Sequence, residues 1–146
     1  MQYRTDGATT YLRIDKDERV FEAISTFCAE HGIAGGHFQG IGACSEVTVA
    51  TWIPELGDYK NHEYKGMIEM VSLMGNVSRN RDGSPRLHAH ASFSMLNEAD
   101  QPVVFAGHVR EVTIGYTAEL ALTPAARPID ITFDERAGID VWNLEA

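Results

Sequence analysis

Three histidines are spaced so that one ion can collect them. In Arg86 to Met95 the apolar residues are Leu87, Ala89, Ala91, Phe93 and Met95, so Arg86, His88, His90, Ser92 and Ser94 share the opposite face of a strand. The polar, turn-rich stretch Asn97 to Pro102 joins this strand to Val103–Arg110 as an antiparallel hairpin. A turn centred near Ala99 sets His90 opposite His108 and His88 opposite Arg110, all on one face. Opposed Cβ atoms lie about 5 Å apart and same-face neighbours about 7 Å, so three imidazoles can converge. A register error of one residue would spoil the arrangement.

Three neutral imidazoles with one open position suit zinc first, with nickel, copper or ferrous iron as further candidates. Zinc with an open position lowers the pKa of bound water toward about 7, the basis of hydrolysis or hydration, but three ligands identify no substrate. Arg86 and Arg110 flank the cluster on the same face and offer bidentate forks to a carboxylate or phosphate. Plainer accounts stand beside these. An H-x-H pair is common on strands, histidines serve as half-buried hydrogen-bonding groups without metal, and arginines near strand ends are often just solvated.

Other residues carry weaker signals. His31 sits at a helix C-terminus, where a cation is favoured. His37 and His62 are lone residues, and Glu119 is a candidate partner for an imidazole. The Gly35, Gly36, Gly40, Gly42 segment lacks the strand, G-x-G-x-x-G, helix order and the lysine of a phosphate cradle. Close backbone approach between strands explains it better. Arg79 and Arg81 make a small basic loop, and no Ser-His-Asp or Cys-His pairing emerges from the spacings.

The elements that must position the histidines are mostly strands. Thr9 to Ile14 alternates as a strand, and Asp15 with Glu18 reads as a capping box for a helix running to about His31. Val20, Phe21, Ile24, Phe27 and Cys28 give that helix one apolar stripe, and Gly32 ends it. Strand patterns follow at Gly36 to Ile41, Glu46 to Ile53, Met67 to Ser78, Arg86 to Met95, Val103 to Arg110, Val112 to Leu122 and, more weakly, Ile129 to Phe133. Asp140 to Ala146 fits either an added strand or a loose tail. The fold class expected is α+β, a mainly antiparallel sheet with a helix packed on one face.

A chain of 146 residues has the length of one domain, taken here as 1–146. Its 44% apolar and 23% charged residues are ordinary for a globular protein, and no apolar run approaches the roughly 20 residues of a membrane span. With no signal-peptide pattern in its first residues, a cytoplasmic location is expected, and Cys28 and Cys44 are expected as buried thiols. A net charge of −9 disfavours a general affinity for nucleic acid, although a local basic patch can override the total.

Three stretches carry a family resemblance: Gly40-Ile41-Gly42-Ala43 after a helix and strand, Gly66 to Asn76 (GMIEMVSLMGN), and Leu87 to Ser92 (LHAHAS) with Gly107-His108 downstream. In that order and spacing they resemble the plant and prokaryote conserved domain, the PPC family, in its stand-alone bacterial form. The resemblance spans roughly 11–122. It implies a mostly antiparallel sheet with a helix against it, assembled as a homotrimer. Bacterial members with histidines matching His88, His90 and His108 resemble metal-binding proteins, which implies a divalent ion here, zinc first. Members are often labelled DNA-binding, and plant relatives join the domain to an AT-hook, but this chain has no R-G-R-P hook.

The first expectation is therefore a trimeric metal-dependent protein that binds a small anionic molecule at the three histidines, with Arg110 and Arg86 as anion partners. An alternative is a DNA-associated regulator or oligomerisation module using Arg79, Arg81 and Arg86, in which the histidines are structural. A third is a purely structural metal stabilising the trimer.

Overall fold

The computed structural model describes residues 1–145. The elements run β1 (Gln2–Asp6), β2 (Thr9–Asp15), α1 (Val20–Glu30), β3 (Gly36–Ile53), β4 (Asp58–Arg79), β5 (Pro85–Leu96), β6 (Pro102–Pro124), β7 (Asp130–Asp134) and β8 (Ile139–Asn143). All strands belong to one sheet, antiparallel except for a single parallel contact of β4 with β7. The α+β class with a mainly antiparallel sheet is as expected.

The four longest strands close a ring: β3 pairs β4, β4 pairs β5, β5 pairs β6, and β6 returns to β3. Closure places neighbouring side chains alternately inside and outside. Phe38, Gly75 and Ala89 are register partners on the inner side, while His37, Asn76 and His88, one residue along each, point outward. The core draws Phe38 and Val49 from β3, Leu73 from β4, Phe93 from β5, and Val109 and Leu122 from β6. Val20, Ile24, Phe27 and Cys28 of α1 join the same cluster, which accounts for the apolar stripe.

Two pairs of expected strands are single strands. Gly36 to Ile41 and Glu46 to Ile53 form the continuous β3, and Val103 to Arg110 and Val112 to Leu122 form β6. Register shifts in the β3–β6 ladder between Gly42 and Cys44, Cys44 and Glu46, and Thr48 and Val49 bend these strands without ending them. The glycine segment permits close backbone approach: a Cβ at Gly40 would stand 2.2 Å from Leu120 Cδ2 and 2.4 Å from the Glu119 carbonyl oxygen. Of the segment Asp140 to Ala146, residues 140–143 form part of β8, Leu144 and Glu145 lie beyond it in no strand, and Ala146 lies outside the described residues. β1 was not anticipated because all five of its residues are exposed, so no apolar alternation marks it.

The helix begins later than the Asp15/Glu18 box suggests. The Asp15 N–H does donate to the Glu18 carboxylate at 2.7 Å, but the Asp15 carboxylate is taken by Arg13 Nε at 2.9 Å. Asp17 then turns left-handed at φ 68°, and the N-cap Arg19 makes no side-chain cap. A distant residue serves instead. Glu111 of β6 accepts the Phe21 N–H at 3.0 Å and ion-pairs with Arg19 at 3.1 Å, placing a carboxylate at the positive end of the helix. Glu111→Ala is expected to lower stability by about 1–2 kcal/mol, read as a shifted urea midpoint.

Candidate metal centre

The hairpin that carries the histidines is set at both ends. At the turn, Asn97 Oδ1 accepts the N–H groups of Ala99 at 2.9 Å and Gln101 at 3.0 Å, while Asp100 takes the left-handed φ of 55°. On the inner face Phe93 and Phe105 are register partners, with ring centroids 5.2 Å apart. A one-residue slip would bring the fully buried Phe93 out to water. The register that satisfies turn and core sets His90 opposite His108, as the spacing predicts.

His88 departs from that expectation. The β5–β6 ladder stops at His90 and His108, beyond which β6 pairs with β3, so His88 lies opposite Asn76 of β4 and not opposite Arg110. The three imidazoles still converge. Ring centroids are 5.3 Å apart for His88 and His90, 5.0 Å for His88 and His108, and 5.4 Å for His90 and His108. One nitrogen from each lies within 4.8 Å of the others. Tetrahedral zinc with bonds of about 2.0–2.1 Å needs nitrogens roughly 3.3 Å apart, within reach of small side-chain rotations. The donor set fits a divalent ion in a second respect: His108 Nδ1 is buried and has no hydrogen-bond partner among the described residues, which is costly for a polar atom unless something else binds it.

The electrostatics favour the neutral forms of His88 and His108. Burial, then His90 and Arg86, hold the His88 pKa below its ordinary value. Burial foremost, then His88 and Arg110, push His108 down to about 4. Neutral imidazole is the form that ligates metal. An unfolded histidine titrates near 6.5, so on acidification the unfolded chain takes up this proton before the folded one does. Stability from neutral His108 is whole above about pH 6.5 and is lost as pH falls toward 4. The side chain is only half buried, so solvent screening reduces the expected loss to about 1 kcal/mol. Metal-free protein should show this in urea midpoints at pH 7 and pH 4.5, and His108→Ala should lose correspondingly less.

Sequence reasoning missed the surroundings of His108. The tip of the β3–β4 hairpin puts Trp52 opposite Tyr59, and Tyr59 reaches across to stack on His108 with centroids 5.1 Å apart. The Arg110 guanidinium sits 4.6 Å from the centre of the same tyrosine ring. Arg110 therefore borders the cluster through Tyr59, and Arg86 borders it beside His88. Among the described residues neither arginine has a carboxylate at ion-pair distance. Periodicity within one strand carries no signal for Tyr59, because the contact is diagonal and between strands.

The remaining candidates lie elsewhere. Glu119 pairs with Arg13 and Ile41, so it cannot orient an imidazole of this cluster. His31 caps α1, its Nδ1 2.9 Å from the Phe27 carbonyl oxygen. His62 pairs with Val49, and His37 is separated from His88 by Asn76. Arg79 makes a two-point contact with Asp130 at 2.7 and 2.9 Å, and Arg81 reaches Asp140 at 2.8 Å. Both cysteines are free and buried, and burial pushes their thiols up to about 11 for Cys28 and about 12 for Cys44.

The sequence profile of the Plants and Prokaryotes Conserved (PCC) domain, the family abbreviated PPC above, matches residues 1–126. The chain belongs to this family. Among solved structures, a plant- and prokaryote-conserved protein from Pyrococcus horikoshii is 30% identical, with a TM-score of 0.79 over 97% of this chain and 94% of that one. A metal-containing protein from Archaeoglobus fulgidus is 26% identical, with a TM-score of 0.81 over 98% of this chain and 99% of that one. A protein from Bacteroides thetaiotaomicron described as a "putative DNA binding protein" shares the fold at a TM-score of 0.88 and 23% identity, covering 99% of this chain and 98% of that one. No curated protein matches this PCC chain. Among its described residues, no helix is long and apolar enough to cross a membrane.

Proposed function

We infer that this PCC protein binds one divalent metal ion, zinc fitting best, through His88, His90 and His108, and presents it to a small anionic molecule partnered by Arg110 and Arg86. The convergence of three imidazole nitrogens within 4.8 Å carries the reading, with the orphaned Nδ1 of His108 as its support. The metal-containing relative from Archaeoglobus fulgidus points the same way. The residues of this chain would hold the ion, position the His108 imidazole through its register partner Ala50 and its stacking on Tyr59, and supply two guanidinium groups, unpaired among the described residues, for an anion. Bound zinc would supply Lewis acidity at its open position.

Assembly as a homotrimer belongs to the same reading. Tyr11, Ile41, Val71 and Met74, each more than half exposed, line a cavity of about 770 Å³ on the outer side of the sheet, an apolar surface that self-association would cover. A cytoplasmic setting accords with two unpaired, buried thiols. The competing reading, a DNA-associated module, draws on the description of the Bacteroides relative. Its basic loop is already neutralised, since Asp130 and Asp140 hold Arg79 and Arg81, and the net charge is −9.

Elemental analysis of untagged protein tests the metal, and the oligomer mass of the same sample tests the assembly. About one zinc per chain in a trimer is expected. Metal-free wild type that shifts duplex DNA at low salt would replace this reading with the second.

A further inference from the structure

The tip of the β3–β4 hairpin holds the groups around the histidines that still lack a task. Trp52 and Tyr59 face each other across the strands, ring centroids 5.2 Å apart at 73°. They stay 46% and 36% exposed. Tyr59 is engaged by the His108 imidazole and the Arg110 guanidinium, whereas Trp52 meets no aromatic ring but that of Tyr59 among the described residues. Beneath them Ala50, the register partner of His108, is 3% exposed yet stands outside the core cluster, giving the corner a closed floor.

Scattered exposed aromatics need no explanation, and Tyr116 and Phe133 are examples on which no cation stacks. Trp52 differs in its company. A half-exposed indole and a guanidinium without a carboxylate partner meet on one tyrosine, Tyr59, which also stacks on a member of the three-imidazole cluster, so an apolar surface and polar groups able to hold an anion lie around a single residue.

We propose that the site takes a planar aromatic carboxylate, its carboxylate between Arg110 and the histidine cluster and its ring against Trp52. The proposal rests on the metal reading for the far side of the carboxylate. Arg110 is held over the Tyr59 ring, its guanidinium carbon 4.6 Å from the centroid, so its fork is placed before the ligand arrives and little rotamer freedom is lost on binding. An aliphatic acid would use the same fork but present no flat face to the indole. Inorganic phosphate would use the fork alone.

The test uses full-length protein with metal content measured on every sample, in a Trp142→Phe background so that Trp52 is the sole indole. Benzoate, acetate, cyclohexanecarboxylate and inorganic phosphate are titrated against Trp52 fluorescence and by calorimetry. Benzoate is expected to bind about tenfold more tightly than acetate, the order of one aromatic contact. Trp52→Leu should erase that preference with metal content unchanged, and Arg110→Gln should weaken benzoate and acetate alike. Metal-loaded protein that binds benzoate no better than acetate, or phosphate alone, overturns this proposal and leaves the metal reading standing. Metal-free wild type that binds none of the four overturns both. A preference that survives Trp52→Leu also overturns the proposal, because the ring would then lie elsewhere.

Discussion

His108→Ala is expected to empty the metal centre, taking zinc from about one per chain to less than a tenth. Removing a group that merely orients a ligand typically costs 10–100-fold in affinity, so removing a ligand itself should cost at least about 100-fold. His88→Ala and His90→Ala should do the same, because two imidazoles leave the ion without a third protein donor. Stability supplies a sharper discrimination. A ligand present at about 100 times its Kd adds roughly 2.7 kcal/mol, so chelation should lower the Tm of wild type by about 5–10 °C. The same chelator should leave the Tm of His108→Ala unmoved. In metal-free protein His108 Nδ1 is a buried atom without a partner, so deleting the ring removes a penalty along with some packing against Tyr59. The two metal-free proteins should therefore agree within about 1 kcal/mol. A His108→Ala protein that is purified with unchanged metal content and, once stripped of metal, is weaker than stripped wild type by about 2 kcal/mol or more would make the histidine structural.

The hairpin bearing the histidines was legible because two signals coincide within it. Alternation from Leu87 to Met95 fixes which residues face outward, and the Asn97 to Pro102 turn fixes the register, so His90 opposite His108 follows from arithmetic. His88 opposite Arg110 did not follow. Where β6 leaves β5 for β3 depends on how four strands close a ring, a property of no single hairpin. Tyr59 was invisible for the same reason, since it meets His108 only once β3, β4 and β6 lie side by side. The helix start shows a third mode of failure: the local box Asp15/Glu18 is half formed, while the carboxylate at the helix end arrives from Glu111, about ninety positions away in the chain. Local chemistry thus reached as far as pairs joined by a short turn. Contacts made by ring closure had to be observed.

Gly40→Ala is expected to cost about 3 kcal/mol or more of stability, out of the roughly 5–15 kcal/mol that holds a domain folded. Gly40 sits in β3 between Leu73 of β4 and Leu120 of β6. Its Cβ would stand 2.2 Å from Leu120 Cδ2, in a side chain only 3% exposed, and 2.4 Å from the Glu119 carbonyl oxygen. Leu120 can rotate only into packed neighbours, and the carbonyl belongs to a ladder that cannot shift alone, so β3 and β6 must part. Gln39→Ala, one residue away on the exposed face, should change the urea midpoint by an amount equivalent to no more than about 0.5 kcal/mol. The same ladder carries Ala50 opposite His108, but three register shifts lie between Gly40 and that pair. Bulges interrupt regular pairing and let the two ends of a strand move separately. Zinc bound per folded Gly40→Ala chain should therefore match wild type; a metal affinity that falls together with stability would mean that β3 and β6 transmit strain along their whole length, and that the glycines set the geometry of the metal centre as well as the closure of the ring.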